Sequence, residues 1–454
     1  MTALDEPGTA RLPFHLRGSY APIDTEIEAF DLQVQGRIPE FLNGTFVRNG
    51  ANPKKGRSPH WFAGDGMLHG VRLRDGKADW YRNRWVRTRA LAGAPRRDPE
   101  TGASDLTVGL ANTHVVRHAG RIFALEEGSL PNEVTAELDT LGPCDFGGAL
   151  RTPFTAHPHV CPETGEMHFF GYEILHAPFV TYHVLDRDGA LVHSQPIEVG
   201  GPTMVHDFAI SRNYAIFLDL PVVFDLGLAM SGGMPFTWRP DHGARIGLLH
   251  RDRARQGAAP QWFDVSLCYV FHVMNAWDDG PDGRYVWLDA GRHETMWAAG
   301  SDKFEPSLMH RWRFDLQTGE VKEELLDDVD HAFPRIDDRR CGLRNRYGWA
   351  VAPLDPNDRR SEAPSGVVKY DLQTGSRTVH SFGDSSISGE PVFVPSHAAA
   401  DEDEGCLVTF VHDVSTERSS FVVLDASDMS TAPLAVVPLP QRVPRGFHGS
   451  WFAD

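Results

Sequence analysis

A six-residue pattern, Phe314-Asp315-Leu316-Gln317-Thr318-Gly319, returns 56 residues later as Tyr370-Asp371-Leu372-Gln373-Thr374-Gly375. Partial versions occur at Val184-Leu185-Asp186-Arg187-Asp188-Gly189, Val71-Arg72-Leu73-Arg74-Asp75-Gly76, Cys161-Pro162-Glu163-Thr164-Gly165-Glu166 and Val423-Leu424-Asp425-Ala426. Most of them place an apolar, strand-like run before an acidic, glycine-bearing turn. Runs rich in Val, Phe, Tyr and Leu, such as Tyr214-Ala215-Ile216-Phe217-Leu218, alternate with turn clusters throughout, which predicts an all-β chain of short strands. Sustained helical periodicity is scarce, and segments 251–257 and 355–360 read as loops or single turns. A strand and tight turn repeating at roughly 50 residues is the mark of a four-stranded propeller blade. The same turn is common in β-sandwiches, so the repeat by itself leaves both open.

With 454 residues the chain could hold several domains, yet glycine and proline are spread evenly and no linker interrupts it. It reads as an N-terminal arm, 1–20, and a single domain, 21–454. The formal net charge of -18 repels phosphate backbones and makes nucleic acid an unsuitable partner. Met1-Thr2-Ala3-Leu4-Asp5-Glu6-Pro7 is acidic where a signal peptide would be basic and then apolar. No stretch approaches the ~20 apolar residues of a membrane span; a cytoplasmic protein is expected. Five scattered cysteines without a Cys-x-x-Cys pair imply neither a zinc site nor disulfides.

Most of the 22 histidines need no functional reading. Four stand among apolar or small residues: His157 in Thr155-Ala156-His157-Pro158, His206 in Met204-Val205-His206-Asp207-Phe208, His272 in Phe271-His272-Val273-Met274, and His448 in Gly446-Phe447-His448-Gly449-Ser450. They are 49, 66 and 176 residues apart, too far for a local metal motif. The inner strands of a propeller would nevertheless bring them to one axis. Converging imidazoles suit iron, copper, zinc or nickel, whereas the plain alternative is four hydrogen-bonded core histidines.

These histidine segments, together with Gly44-Thr45-Phe46-Val47-Arg48-Asn49-Gly50, Trp61-Phe62-Ala63-Gly64-Asp65-Gly66-Met67, Ala111-Asn112-Thr113 and Gly389-Glu390-Pro391-Val392-Phe393-Val394-Pro395, resemble the carotenoid cleavage oxygenase family from about Asp31 to the C-terminus. The resemblance implies a seven-bladed β-propeller with a loop and helix dome over an axial metal site. It implies one non-haem iron(II) per chain, held by His157, His206, His272 and His448. Glutamates orient three of the four ligands in the family. Glu127 matches the partner of His206, and Glu390 that of His448. The third is missing, because the chain reads Asp330-His331-Ala332-Phe333-Pro334-Arg335 where the family has glutamate before Phe-Pro-Arg. His272 is therefore expected to be held less firmly, or by water, Asp328 or Asp330.

The implied reaction is cleavage by dioxygen of a double bond in a carotenoid or apocarotenoid to two aldehydes, with no catalytic acid or base beyond the metal site. Phe62 and Phe271 match positions that line the substrate tunnel. Family members that cleave lignin-derived stilbenes carry a lysine at the position of Glu126, whose carboxylate cannot serve a phenolate, so a polyene is favoured over a stilbene or phenylpropenoid. Segment 226–238, apolar and methionine-rich, is either a tunnel mouth in peripheral contact with membrane or a buried piece of the dome. An isomerohydrolase and a metal-free propeller that only binds apolar ligands are the more distant alternatives. The sequence leaves the oligomeric state open.

Overall fold

The computed structural model describes residues 12–98, 100, 103–231, 234–280, 283–298, 304–358, 360 and 362–454. The first eleven residues of the arm and positions 232–233 of segment 226–238 lie outside them. Seven antiparallel sheets form the blades of a propeller. Their innermost strands are, from blade 1 to blade 7, Gly449–Ala453, His114–His118, His159–Val160, Ala209–Ile210, Tyr269–Asp278, Ala332–Arg335 and the broken pair Ser386–Ser388 with Val392–Pro395. The ring closes where the C-terminal strand Gly449–Ala453 pairs with Gly44–Ala51, in register from Arg48↔Gly449 to Gly44↔Ala453.

The repeat marks one joint of the blade. Asp315 and Asp371 each end the third strand of their blade, and their Oδ1 atoms accept from the amides two and three residues on, Gln317 and Thr318 in one blade and Gln373 and Thr374 in the next. The glycine that follows closes the turn at φ +76° or +72°, a conformation costly for any side chain. An arginine just before the second strand, Arg284 or Arg346, ion-pairs with that aspartate and lies over the tyrosine beside it. The repeat thus extends to an Arg-Tyr pair that the six-residue pattern does not include. The partial matches at 71–76, 184–189 and 423–426 occupy the same joint, whereas 161–166 joins a first strand to a second.

Apolar side chains collect between the blades. Seven clusters of buried residues each span one interface between neighbouring blades. Both faces of most blades are consequently covered, which is why their strands read as continuous apolar runs. Among the described residues helix is confined to short pieces such as Leu226–Ser231 and Arg251–Ala254, and no helix is long and apolar enough to cross a membrane.

Candidate metal centre

Each blade sends one side chain to the axis at the same end of the ring: His448, His114, His157, His206, His272, Phe333 and Glu390, in blade order. Four of these are the histidines singled out by their surroundings. One ligating nitrogen from each of His157, His206, His272 and His448 lies within 4.8 Å of the other three. The Nε2 atoms of His157 and His206 face each other at 3.1 Å, and Nε2 of His272 is buried without a hydrogen-bond partner. Burial and neighbouring imidazoles hold His157 and His272 well below the ordinary histidine pKa, so their lone pairs stay available. An orphaned buried nitrogen and four converging imidazoles are a donor set that fits a divalent transition metal.

Two of the rings are fixed from behind by carboxylates. Glu127 ion-pairs with Nδ1 of His206 and accepts from the Tyr172 hydroxyl at 3.0 Å. Burial opposes charge on His206, but Glu127 overcomes it and the ring sits above its ordinary pKa. Glu390 accepts from Nδ1 of His448 at 2.9 Å and lies 3.5 Å from Arg335. Burial pushes its carboxyl up, yet Arg335 and then His448 bring it down to about 2. This is the arrangement that sets ring orientation and basicity in metal sites. His272 has no such partner. Asp330 accepts from the Ser307 amide at 2.9 Å and Asp328 lies exposed beside Arg377, so the expectation that one of these acids holds His272 is not met.

An aromatic wall stands beside the histidines. Phe271 packs against His206 with ring centroids 5.1 Å apart, Phe304 lies 5.5 Å from Phe271 and 5.9 Å from Phe62, and Phe447 lies 5.7 Å from Phe62. Phe62 and Phe271, remote in sequence, therefore belong to one surface through Phe304. Beneath the histidines, a cavity of about 450 Å³ runs along the axis, lined by His114, His159, Arg335, Asp338 and Cys341 among others.

The family described as retinal pigment epithelial membrane protein matches residues 20–453. A carotenoid cleavage oxygenase of Mycobacterium tuberculosis is 38% identical over 96% of this chain and 97% of its own length. The chain belongs to the carotenoid cleavage oxygenase family. Among solved structures, a lignostilbene dioxygenase of Pseudomonas brassicacearum superposes with a TM-score of 0.86 at 30% identity, covering 98% of this chain and all of that one. A cobalt-substituted ACO of Synechocystis gives 0.83 at 26% identity, over 96% and 98% of the two chains.

This carotenoid oxygenase homologue places Glu126 against Arg96, 3.2 Å away, rather than free at the site. Segment 226–238 divides: Leu226–Ser231 is an exposed helix with Met230 81% accessible, while Met234, Phe236 and Trp238 pack against the core between blades 4 and 5. Sequence reasoning missed two neighbours of the histidines and one ring of the aromatic wall. His114 sits 5.2 Å from the His448 ring and gives its Nδ1 to the Ala156 carbonyl; it directly follows the Ala111-Asn112-Thr113 motif, which was the available signal. Phe333 lies 5.4 Å from His272 and 5.1 Å from His448 at a φ of +54°, an unfavourable conformation for a bulky residue. Phe304 had no signal in sequence.

Proposed function

We propose that this chain is a non-haem iron(II) dioxygenase that cleaves one carbon-carbon double bond of a carotenoid or apocarotenoid into two carbonyl products. The observation that carries this reading is the meeting of four histidines at the axis beside an aromatic wall. His157, His206, His272 and His448 would hold one iron per chain, and Glu127 and Glu390 orient two of the rings. Four imidazole ligands would leave an iron(II) ion its charge and open positions, and the ion would supply the dioxygen chemistry. Phe62, Phe271 and Phe304 bind and align the polyene, whose burial is worth about 25 cal/mol per Å² of apolar surface. No side chain is assigned as acid or base. The exposed helix Leu226–Ser231 would rest on a lipid surface where such substrates partition, from the cytoplasmic side.

A stilbene or phenylpropenoid substrate is the second reading, favoured by the likeness to a lignostilbene dioxygenase. Glu126, already paired with Arg96, weighs against a phenolate. The test is an aerobic incubation of iron(II)-loaded protein with an apocarotenal, β-carotene and a hydroxystilbene, reading products by mass spectrometry. Aldehydes from the polyenes are expected. Aldehydes from the stilbene alone would overturn the polyene reading. Turnover without oxygen uptake would point to the isomerohydrolase, and no product with no bound iron to a binding propeller.

A further inference from the structure

His272, like His157, has no carboxylate behind its ring among the described residues, yet its backbone is fixed. The innermost strand Tyr269–Asp278 breaks register with its neighbour between Val270 and Val273 and again between Val273 and Asn275. His272 lies within the first of these irregularities, and Val273 stands between the two. Its N–H goes to Oδ2 of Asp207, at 2.8 Å. Asp207 is 3% exposed and directly follows His206. Its Oδ1 accepts from the Phe208 amide at 2.8 Å and faces Nε2 of His159 at 3.4 Å. That ring donates to the Phe208 carbonyl at 2.8 Å, and its Nδ1 lies 3.7 Å from Cys341 Sγ. One carboxylate therefore ties together chain positions 159, 207 to 208 and 273, each within two residues of His157, His206 or His272.

We infer that Asp207 is a positioning residue for the metal centre: it does for His272, through the peptide that follows it, what a glutamate at position 332 would do through the ring. A buried carboxylate that took no part in such a tie would be costly, and a bulged strand leaves an amide for which a partner must be found. Here the two requirements meet each other. The inference rests on the metal reading above and concerns only how the ligands are held.

The test is a double-mutant cycle read as iron(II) affinity, by competition with a chelator of known strength at fixed pH. Asp207→Ala is expected to weaken iron binding about 10- to 100-fold, the usual effect of removing a group that supports a ligand. In a His272→Ala background the same change should cost less than about threefold, because its route of action is already gone. Asp207→Asn, which keeps an acceptor for Val273 but turns its NH₂ toward the Phe208 amide, should recover only part of the loss, and it replaces the alanine variant in the cycle if that variant does not fold. Equal losses in both backgrounds would mean a general packing role and overturn the inference. So would an unchanged affinity in Asp207→Ala when the wild type binds iron. A wild type that takes up no iron overturns the metal reading itself.

Discussion

Glu390 grips His448 from two sides: one carboxylate oxygen accepts from the ring Nδ1 at 2.9 Å and the other from the amide of the next residue, Gly449, at 2.7 Å. Both groups are donors, so a carboxamide in its place must turn its own NH₂ toward one of them. Glu390→Gln is therefore expected to lower iron(II) affinity about 10- to 100-fold. Chelator competition measures this, and an unchanged affinity would show that the ring needs no support.

Ala332 stands where a third glutamate is missing, and it is exposed, so a longer side chain meets no packed neighbour. Ala332→Glu is expected to raise iron(II) affinity by about tenfold through Nδ1 of His272. A properly folded variant with no gain would mean that position 332 does not face His272.

Thiol chemistry provides a check on the fold itself. Burial pushes the thiols of Cys268 and Cys406 up to about 12, leaving a thiolate fraction on the order of 1 in 10,000 at pH 8. Cys341 is the one cysteine of the five that is not buried, and it lines the axial cavity. Native alkylation with iodoacetamide, mapped by peptide mass spectrometry, should modify Cys341 first and leave Cys268 and Cys406 intact.

Acid should loosen the blades through their turn aspartates. The Asp371 carboxyl is held down to about 2, chiefly by its hydrogen bond with Arg346, with the amides of Gln373 and Thr374 adding to it. A carboxyl depressed in the folded state contributes stability that is full above the unfolded pKa, near 4, and fades as pH falls toward 2. The urea midpoint of the wild type should exceed that of Asp371→Ala at pH 7, with the gap closing between pH 4 and pH 2. A gap that persists at pH 2 would contradict this assignment.

The turn pattern was legible because its chemistry is local: Asp371 and Gly375 make the hairpin with atoms a few residues apart. The four histidines were legible as candidates because His157 and His206 sit among residues too apolar for a surface imidazole. Their convergence was not legible from spacing, since it depends on seven inner strands meeting at one axis; the resemblance to a family supplied that. What stayed hidden are contacts made by remote, ordinary residues. Phe304 bridges Phe62 to Phe271, Arg346 caps Asp371 from the start of another strand, and Asp207 reaches Val273 only because a strand bulges there. No pattern within one segment encodes such a pairing.

The strand that closes the ring begins at Gly449, one residue after His448. The seam between the two ends of the chain and the fourth imidazole are thus a single joint, and opening one pulls away the other. An ion gripped by all four rings would act as a clasp across that seam, holding blade 1 shut from the inside. On the iron reading, free iron(II) at a hundredfold its dissociation constant would add about 2.7 kcal/mol against unfolding. Iron supply would then govern how long the folded ring survives as well as whether it turns over substrate.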